Sequence, residues 1–193
     1  MFDQVYQQMS AYQPTKVSGE FPDAAVLMAI TNQADPEILL TKRAEGLSSH
    51  GGDVAFPGGK KDPEDADLLS TALRETEEEV GLERERITVL GPLNQLISRN
   101  KVRVSPWVGV MEPQQVYQPN PHEVESIFHV PVSFFLDTPP AVVRRIELLG
   151  GEVLVPVYHY EDYKVWGLTA MIIVNFLQVV YGFDSSFSDQ QIT

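Results

Sequence analysis

Apolar residues come in short runs of β type along most of the chain and at helical spacing in two stretches. "AAVLMAI" and "EILLTKR" are such runs, separated by "TNQADP", whose Asn, Asp and Pro are turn chemistry, so the pattern predicts a hairpin. "DVAFPGG" reads as a strand that ends in a breaker, and "ITVLGPLNQLI" and "VRVSPWVGVM" read as further strands. The Pro-rich "EPQQVYQPNPHE" leads into "VESIFHVPVSFFL", a strand running into a helical turn. A second hairpin is expected around Gly150 and Gly151, with arms "RRIELL" and "EVLVPVYHY". Helical spacing appears first after Asp65 and Asp67, either of which can cap a helix that runs through Val80 and stops at Gly81. It returns in "DYKVWGLTAMIIVNFLQVV", read as one last helix.

Strands interspersed with two well-separated helices point to one α/β sandwich with a mixed sheet, not to successive βαβ units. We find no internal repeat and no low-complexity tract. The expectation is one domain over residues 1–193 with its core at about 22–183, the first 20 or so residues and the tail "DSSFSDQQIT" being flexible ends.

Composition narrows the function. With 193 residues and 43% hydrophobic content the chain can bury one substantial core. Its net charge of −13 repels polyanions, so neither nucleic acid nor an anionic membrane is an expected partner. Cysteine is absent, which removes disulfides and thiolate metal sites. The start lacks the basic region and long apolar run of a secretory signal, and "GLTAMIIVNFLQVVYGF" is broken by Asn175 and Gln178, so a core helix and a cytoplasmic setting are expected.

One stretch stands out against this background. "ALRETEEEVGL" places Glu75, Glu77, Glu78 and Glu79 within five positions. At about 100° per residue, Glu75, Glu78 and Glu79 share one helix face, while Leu69, Ala72, Leu73, Thr76 and Val80 centre on a direction roughly 120° away and Glu77 points elsewhere. Like charges three or four residues apart cost about 0.2–0.5 kcal/mol per pair. An acidic run is by default a solvated surface, and helix position alone does not overturn that reading.

Its neighbourhood does. "FPGGKKDPEDADLLSTALRETEEEVGL" couples a Gly-Gly turn, a carboxylate-rich loop and the acidic helix, and resembles the Nudix hydrolase box, G-x5-E-x7-R-E-U-x-E-E-x-G-U with U apolar. Arg74, Glu75, Glu78, Glu79, Gly81 and Leu82 match its second half position by position. Two departures occur: the loop is one residue longer, with Asp65 standing in for the first glutamate, and Thr76 replaces the apolar residue after Glu75. Upstream, "LLTKRAEGLSSHGGDVAFPGG" resembles the motif of the coenzyme A pyrophosphatase branch, L-L-T-x-R-(S/A)-x3-R-x3-G-x3-F-P-G-G. Leu39, Leu40, Thr41, Arg43, Ala44, Gly52, Phe56, Pro57, Gly58 and Gly59 are in register, and Ser48 stands where the second arginine belongs.

The resemblance implies a Nudix fold, an α/β/α sandwich around a mixed sheet, and a Mg²⁺- or Mn²⁺-dependent hydrolase acting on acid anhydrides. Its metal ligands would be Glu75, Glu78, Glu79 and the carbonyl of Gly58, a hard-oxygen set of the kind these ions prefer. Arg74 would pair with a box carboxylate and orient the cluster. Glu75 would bind metal or help activate water, and Glu123 in "PHEVES" is the candidate base from outside the box. In a −13 chain an anionic substrate needs local cations, for which Arg43, Lys60, Arg99, Lys101 and Arg103, with His50, are the candidates. The implied substrate is coenzyme A or its thioesters, cleaved to 3′,5′-ADP and (acyl-)4′-phosphopantetheine. The alternatives are another nucleoside diphosphate derivative such as ADP-ribose or NADH, or a Nudix-like binding module without turnover. A homodimer stays open.

Overall fold

The structure is a computed structural model that describes residues 2–46, 51–113, 116–148 and 151–187. Eight strands form the main sheet: β1 (Asp23–Thr31), β2 (Glu37–Arg43), β3 (Val54–Ala55), β4 (Gly58–Lys60), β5 (Ile87–Pro92), β6 (Leu96–Ile97), β7 (Arg103–Met111) and β8 (Val124–Pro131). Their main path runs β3-β2-β1-β7-β5, with β4 paired to β1, β6 to β7 and β8 to β2. β1 and β7 are parallel, in register from Asp23 opposite Arg103 to Thr31 opposite Met111, while the other pairs are antiparallel. The sheet is therefore mixed, as the pattern predicts; the first expected hairpin is present and the arms of the second pair, while Gly150 at its turn lies outside the described residues. The second is β9 (Val142–Leu148) with β10 (Gly151–Tyr160), extended by β11 (Tyr163–Val165) into a separate three-stranded sheet.

Side-chain alternation sorts β1 and β2 between two cores. Ala25, Leu27, Ala29 and Leu39 face the helix α2 (Leu68–Val80) and bury Ala72, Val80 and Leu82. Met28, Ile30, Ile38 and Leu40 face the other way, toward Ile173, Phe176 and Leu177 of the last helix, α4 (Gly167–Tyr181). With a short α3 (Val132–Asp137) after β8, the result is an α/β sandwich with helices on both faces of its central sheet.

Asp67, not Asp65, caps α2: its carboxylate accepts from the Ser70 amide at 2.7 Å. The helix ends at Gly81, whose φ of 72° suits a residue without a Cβ, with its N–H donating to the Glu77 carbonyl at 3.0 Å.

Two expectations need correction. The first residues are not a flexible arm: Phe2–Ala11 form a helix, α1, whose Val5 and Met9, one turn apart, are buried against the α4 side of the core. Gln4 donates to the Val180 carbonyl and Tyr12 to Asn94, while the Thr15 and Val17 amides donate to Asn94 and Gln95, strapping the segment to the body. The last helix is also shorter than expected, because "YKV" continues the second sheet as β11. No helix among the described residues is long and apolar enough to cross a membrane.

Candidate active site

The site is built where β4 runs beside α2. Gly58, with φ 154°, lies so close to β1 that a Cβ there would collide with the Ala25 carbonyl oxygen. At Gly59 a Cβ would run into the Glu75 carboxyl, so the Gly-Gly turn lets the backbone reach the acidic helix. Gly58 N–H donates to Glu79 Oε2 at 3.1 Å, and Arg43 Nη1 lies 3.4 Å from Glu79 Oε1. The two motifs, apart in sequence, thus converge on one carboxylate.

Glu79 is only 2% exposed, which differs from a solvated acidic face. Burial, assisted by the nearby charges of Glu75 and Glu123, pushes its carboxyl up to about 7 against the opposing pull of the Gly58 amide and Arg43. Burial likewise raises Glu75, with Glu78 and Glu123 contributing repulsion. Glu75, Glu79 and Glu123 therefore sense one another's charge. Glu123 reaches the site through its loop, in which the Gln118 and Asn120 amides donate to the Val80 and Glu79 carbonyls at 3.1 and 2.9 Å, capping α2 with backbone. The Glu123 carbonyl also accepts from the Ala44 amide, next to Arg43.

Arg74 is the hub of the other carboxylates. Its guanidinium donates to both Asp65 oxygens at 3.0 Å, to Glu75 Oε1 at 3.0 Å, to Glu78 Oε2 at 3.1 Å and to the Lys60 carbonyl at 3.4 Å. Asp65, accepting also from Thr71 Oγ1 and the Asp62 amide, is held well below the usual carboxylate range, chiefly by Arg74. Its shorter side chain anchors the arginine. Glu77, off this face, pairs with Arg84 at 3.2 Å.

The expected substrate cations fare unequally. Arg43 and Arg99 line one pocket together with Gly58. The Lys60 side chain is exposed beside the Gly-Gly turn, and Lys101 sits with φ 57° at the turn before β7, where its amide donates to the Ser98 carbonyl. Arg103 is corrected: its guanidinium is committed to Asp23, at 2.7 and 3.0 Å, and to the Val17 and Gly19 carbonyls, so it ties down the N-terminal segment. His50 and Ser48 lie outside the described residues.

The NUDIX domain model matches residues 21–147, which span the site's loop, helix and Glu123. The chain belongs to the Nudix family. It is 41% identical over 167 residues to an uncharacterized Nudix hydrolase NudL of Photorhabdus laumondii, covering 86% of this chain and 89% of that one. It is 35% identical over 175 residues to Nudix hydrolase 15, mitochondrial, of Arabidopsis thaliana, covering 86% of this chain and 61% of that longer protein. Among solved structures, a C. elegans Ap4A hydrolase binary complex superposes with a TM-score of 0.50 at 22% identity, covering 59% of this chain and 83% of that one. The M. smegmatis Nudix hydrolase RenU gives 0.51 at 22%, covering 60% and 74%. Both share the fold.

Nudix hydrolases generally work with a divalent cation, and the residues present can be tested for one. Among the described residues no three His, Cys, Asp or Glu are gathered into a ready-made cage, and Arg74 holds one oxygen each of Glu75 and Glu78. The donor chemistry nonetheless fits. Carboxylates and backbone carbonyls are the ligands of a hard dication, and mutual repulsion between Glu75, Glu79 and Glu123 is what such an ion would relieve.

Sequence reasoning missed three supports of this site. The chain Glu37–His129–Tyr117, with contacts of 3.1 and 3.0 Å, braces the loop that carries Glu123. The backbone cap from Gln118 and Asn120 left no side-chain signature. The pocket shared by Arg43 and Arg99 is walled by β9, β10 and α4, elements whose alternating apolar residues were visible but whose placement was not.

Proposed function

We propose that this Nudix protein is a Mg²⁺- or Mn²⁺-dependent pyrophosphatase of coenzyme A and its thioesters, releasing 3′,5′-ADP and (acyl-)4′-phosphopantetheine. The observation that carries the reading is the meeting of Arg43, from the coenzyme A branch motif, with Glu79, from the Nudix box, at 3.4 Å. An arginine at that place can grip a phosphate oxygen beside the carboxylate that holds the metal.

Glu75, Glu78 and Glu79, with the Gly58 carbonyl, would hold the cation, whose chemistry when bound would be to offset the diphosphate charge and activate water. Glu123 accepts a proton from the attacking water, and the water oxygen displaces one phosphate from the other in line, so no covalent enzyme intermediate is needed. Arg74 keeps Glu75 and Glu78 on the reacting side while Asp65 holds Arg74 from behind. Arg43 and Arg99 supply positive charge that the −13 chain otherwise lacks.

The test is product analysis after incubation with magnesium or manganese and a panel of coenzyme A, octanoyl-coenzyme A, ADP-ribose, NADH and dinucleoside polyphosphates. The proposal expects the fastest reaction to be release of 3′,5′-ADP from coenzyme A or its octanoyl thioester. Brisk cleavage of ADP-ribose with none of coenzyme A would refute the substrate and leave a Nudix pyrophosphatase of the alternative kind, the reading that Ser48 in place of the branch arginine favours.

A further inference from the structure

The pocket beside the site has a chemistry that the hydrolytic machinery does not require. It has a volume of about 290 Å³ and is lined in part by Gly58, Arg43 and Arg99. Much of the remaining lining is aliphatic, with Ile97, Ile146, Leu148, Val153, Val155 and Met171 among it.

The β9–β10 hairpin explains the wall. Ile146 stands directly opposite Val153, while Glu147 and Glu152 oppose each other on the other face; Arg144, opposite Val155, is the charged residue on the Ile146 side, where it lies over the Trp166 ring. Ile146, Leu148 and Val153 are left only partly covered by protein. Burying them would be favourable in proportion to the area removed from water.

Three polar side chains of the lining already have partners. Asp53 Oδ1 accepts from Trp166 Nε1 at 3.3 Å, Thr169 Oγ1 donates to the Val54 carbonyl at 2.9 Å, and Ser98 Oγ accepts from the Val102 amide at 3.1 Å. The Trp166 ring is already covered by Lys164 and Arg144, 5.0 and 6.0 Å from its centroid. A sugar or a nucleobase against the aliphatic part of the described lining would find few partners for its own polar groups, which carries a penalty. A hydrocarbon chain would pay none.

We propose that this pocket receives the acyl chain of a thioester substrate whose diphosphate lies at Glu79 and Arg43, making the enzyme selective for chain-bearing coenzyme A over the free thiol. The inference rests on the coenzyme A reading above and deepens it. Arg43 and Arg99 hold the anionic part of the substrate, and the aliphatic lining takes the tail.

The experiment is a steady-state series on free, butyryl-, hexanoyl- and octanoyl-coenzyme A with magnesium, for the wild type and for Val153→Asp. In the wild type kcat/KM should climb by up to about fourfold per buried methylene until the pocket is full. In Val153→Asp the octanoyl-to-free ratio should collapse toward one, because the carboxylate must be desolvated when a chain enters. The wild-type series decides by itself if the variant does not fold. Equal kcat/KM along the series, or an undiminished ratio in Val153→Asp, overturns the pocket assignment while coenzyme A cleavage stands. No cleavage of any coenzyme A species beside rapid cleavage of ADP-ribose overturns the substrate reading and the pocket assignment together.

Discussion

Helices α2 and α4 pack on opposite faces of one sheet and are stabilised in opposite ways. α4 has no charged residue in its 15 positions, no side-chain cap at its start, and buries Ile172, Ile173, Phe176, Leu177 and Val180. Its order comes from apolar contact. α2 carries Arg74, Glu75, Glu77, Glu78 and Glu79 in 13 positions, is capped by the Asp67 side chain and closed at Gly81, and buries Glu79 among its few covered residues. Burying an acid pushed up to about 7 weakens the fold, and the structure compensates with an arginine hub, two caps and a backbone clasp from Gln118 and Asn120. The contrast separates what holds the molecule together from what it is built to do.

If that separation is real, damage on the two faces should be of different kinds. Phe176→Ala, a fully buried ring in α4, should cost about 4 kcal/mol in urea unfolding, while the folded fraction keeps normal kcat and metal dependence. Glu79→Gln should do the reverse. The amide is close to isosteric with the protonated acid, so the melting curve should barely move, while turnover of the preferred diphosphate falls by about a hundredfold or more. Loss of folding in Glu79→Gln, or wild-type turnover, would dissolve the comparison.

Asp65→Asn sharpens it, since Asp65 serves the hub without sitting on the reacting side. Removing the charge that faces Arg74 should cost about 2 kcal/mol at neutral pH. The folded carboxyl titrates well below its ordinary value of 3.8, so its stabilisation is present above that pH and is lost as pH falls through the folded value. Urea titrations of both proteins should therefore differ most above pH 4 and converge in stronger acid. A constant difference down to pH 2 would contradict the Asp65–Arg74 anchor.

Much of α2 was legible because its signals are local. The N-cap, the left-handed glycine and the one-sided glutamates are set by residues within a few turns, as is the chemistry of the two hairpins. The parallel pairing of β1 with β7 was not legible, since it joins residues about 80 positions apart whose alternation fits several partners. Nor was α1: Val5 and Met9 show one apolar turn, too little to separate a helix from an arm until Val180 and Asn94 are brought to it. In the site, the glutamates and Arg43 were marked by spacing, yet the burial of Glu79 depends on where β4 and β2 lie. Arg103 read as a substrate cation because "SRNKVR" is locally basic, and Asp23, its partner across the parallel pair, is far away in sequence.

The claim beneath the whole account is that the acidic face of α2 is a cation site rather than a solvated surface. Titration of Mn²⁺ into the wild type, Glu77→Gln and Glu79→Gln, followed by the loss of the free-ion paramagnetic resonance signal, tests this most directly. The account predicts equal affinity for the wild type and Glu77→Gln, whose glutamate points to Arg84, and at least tenfold weaker binding by Glu79→Gln. Equal Mn²⁺ affinity in all three proteins would contradict it.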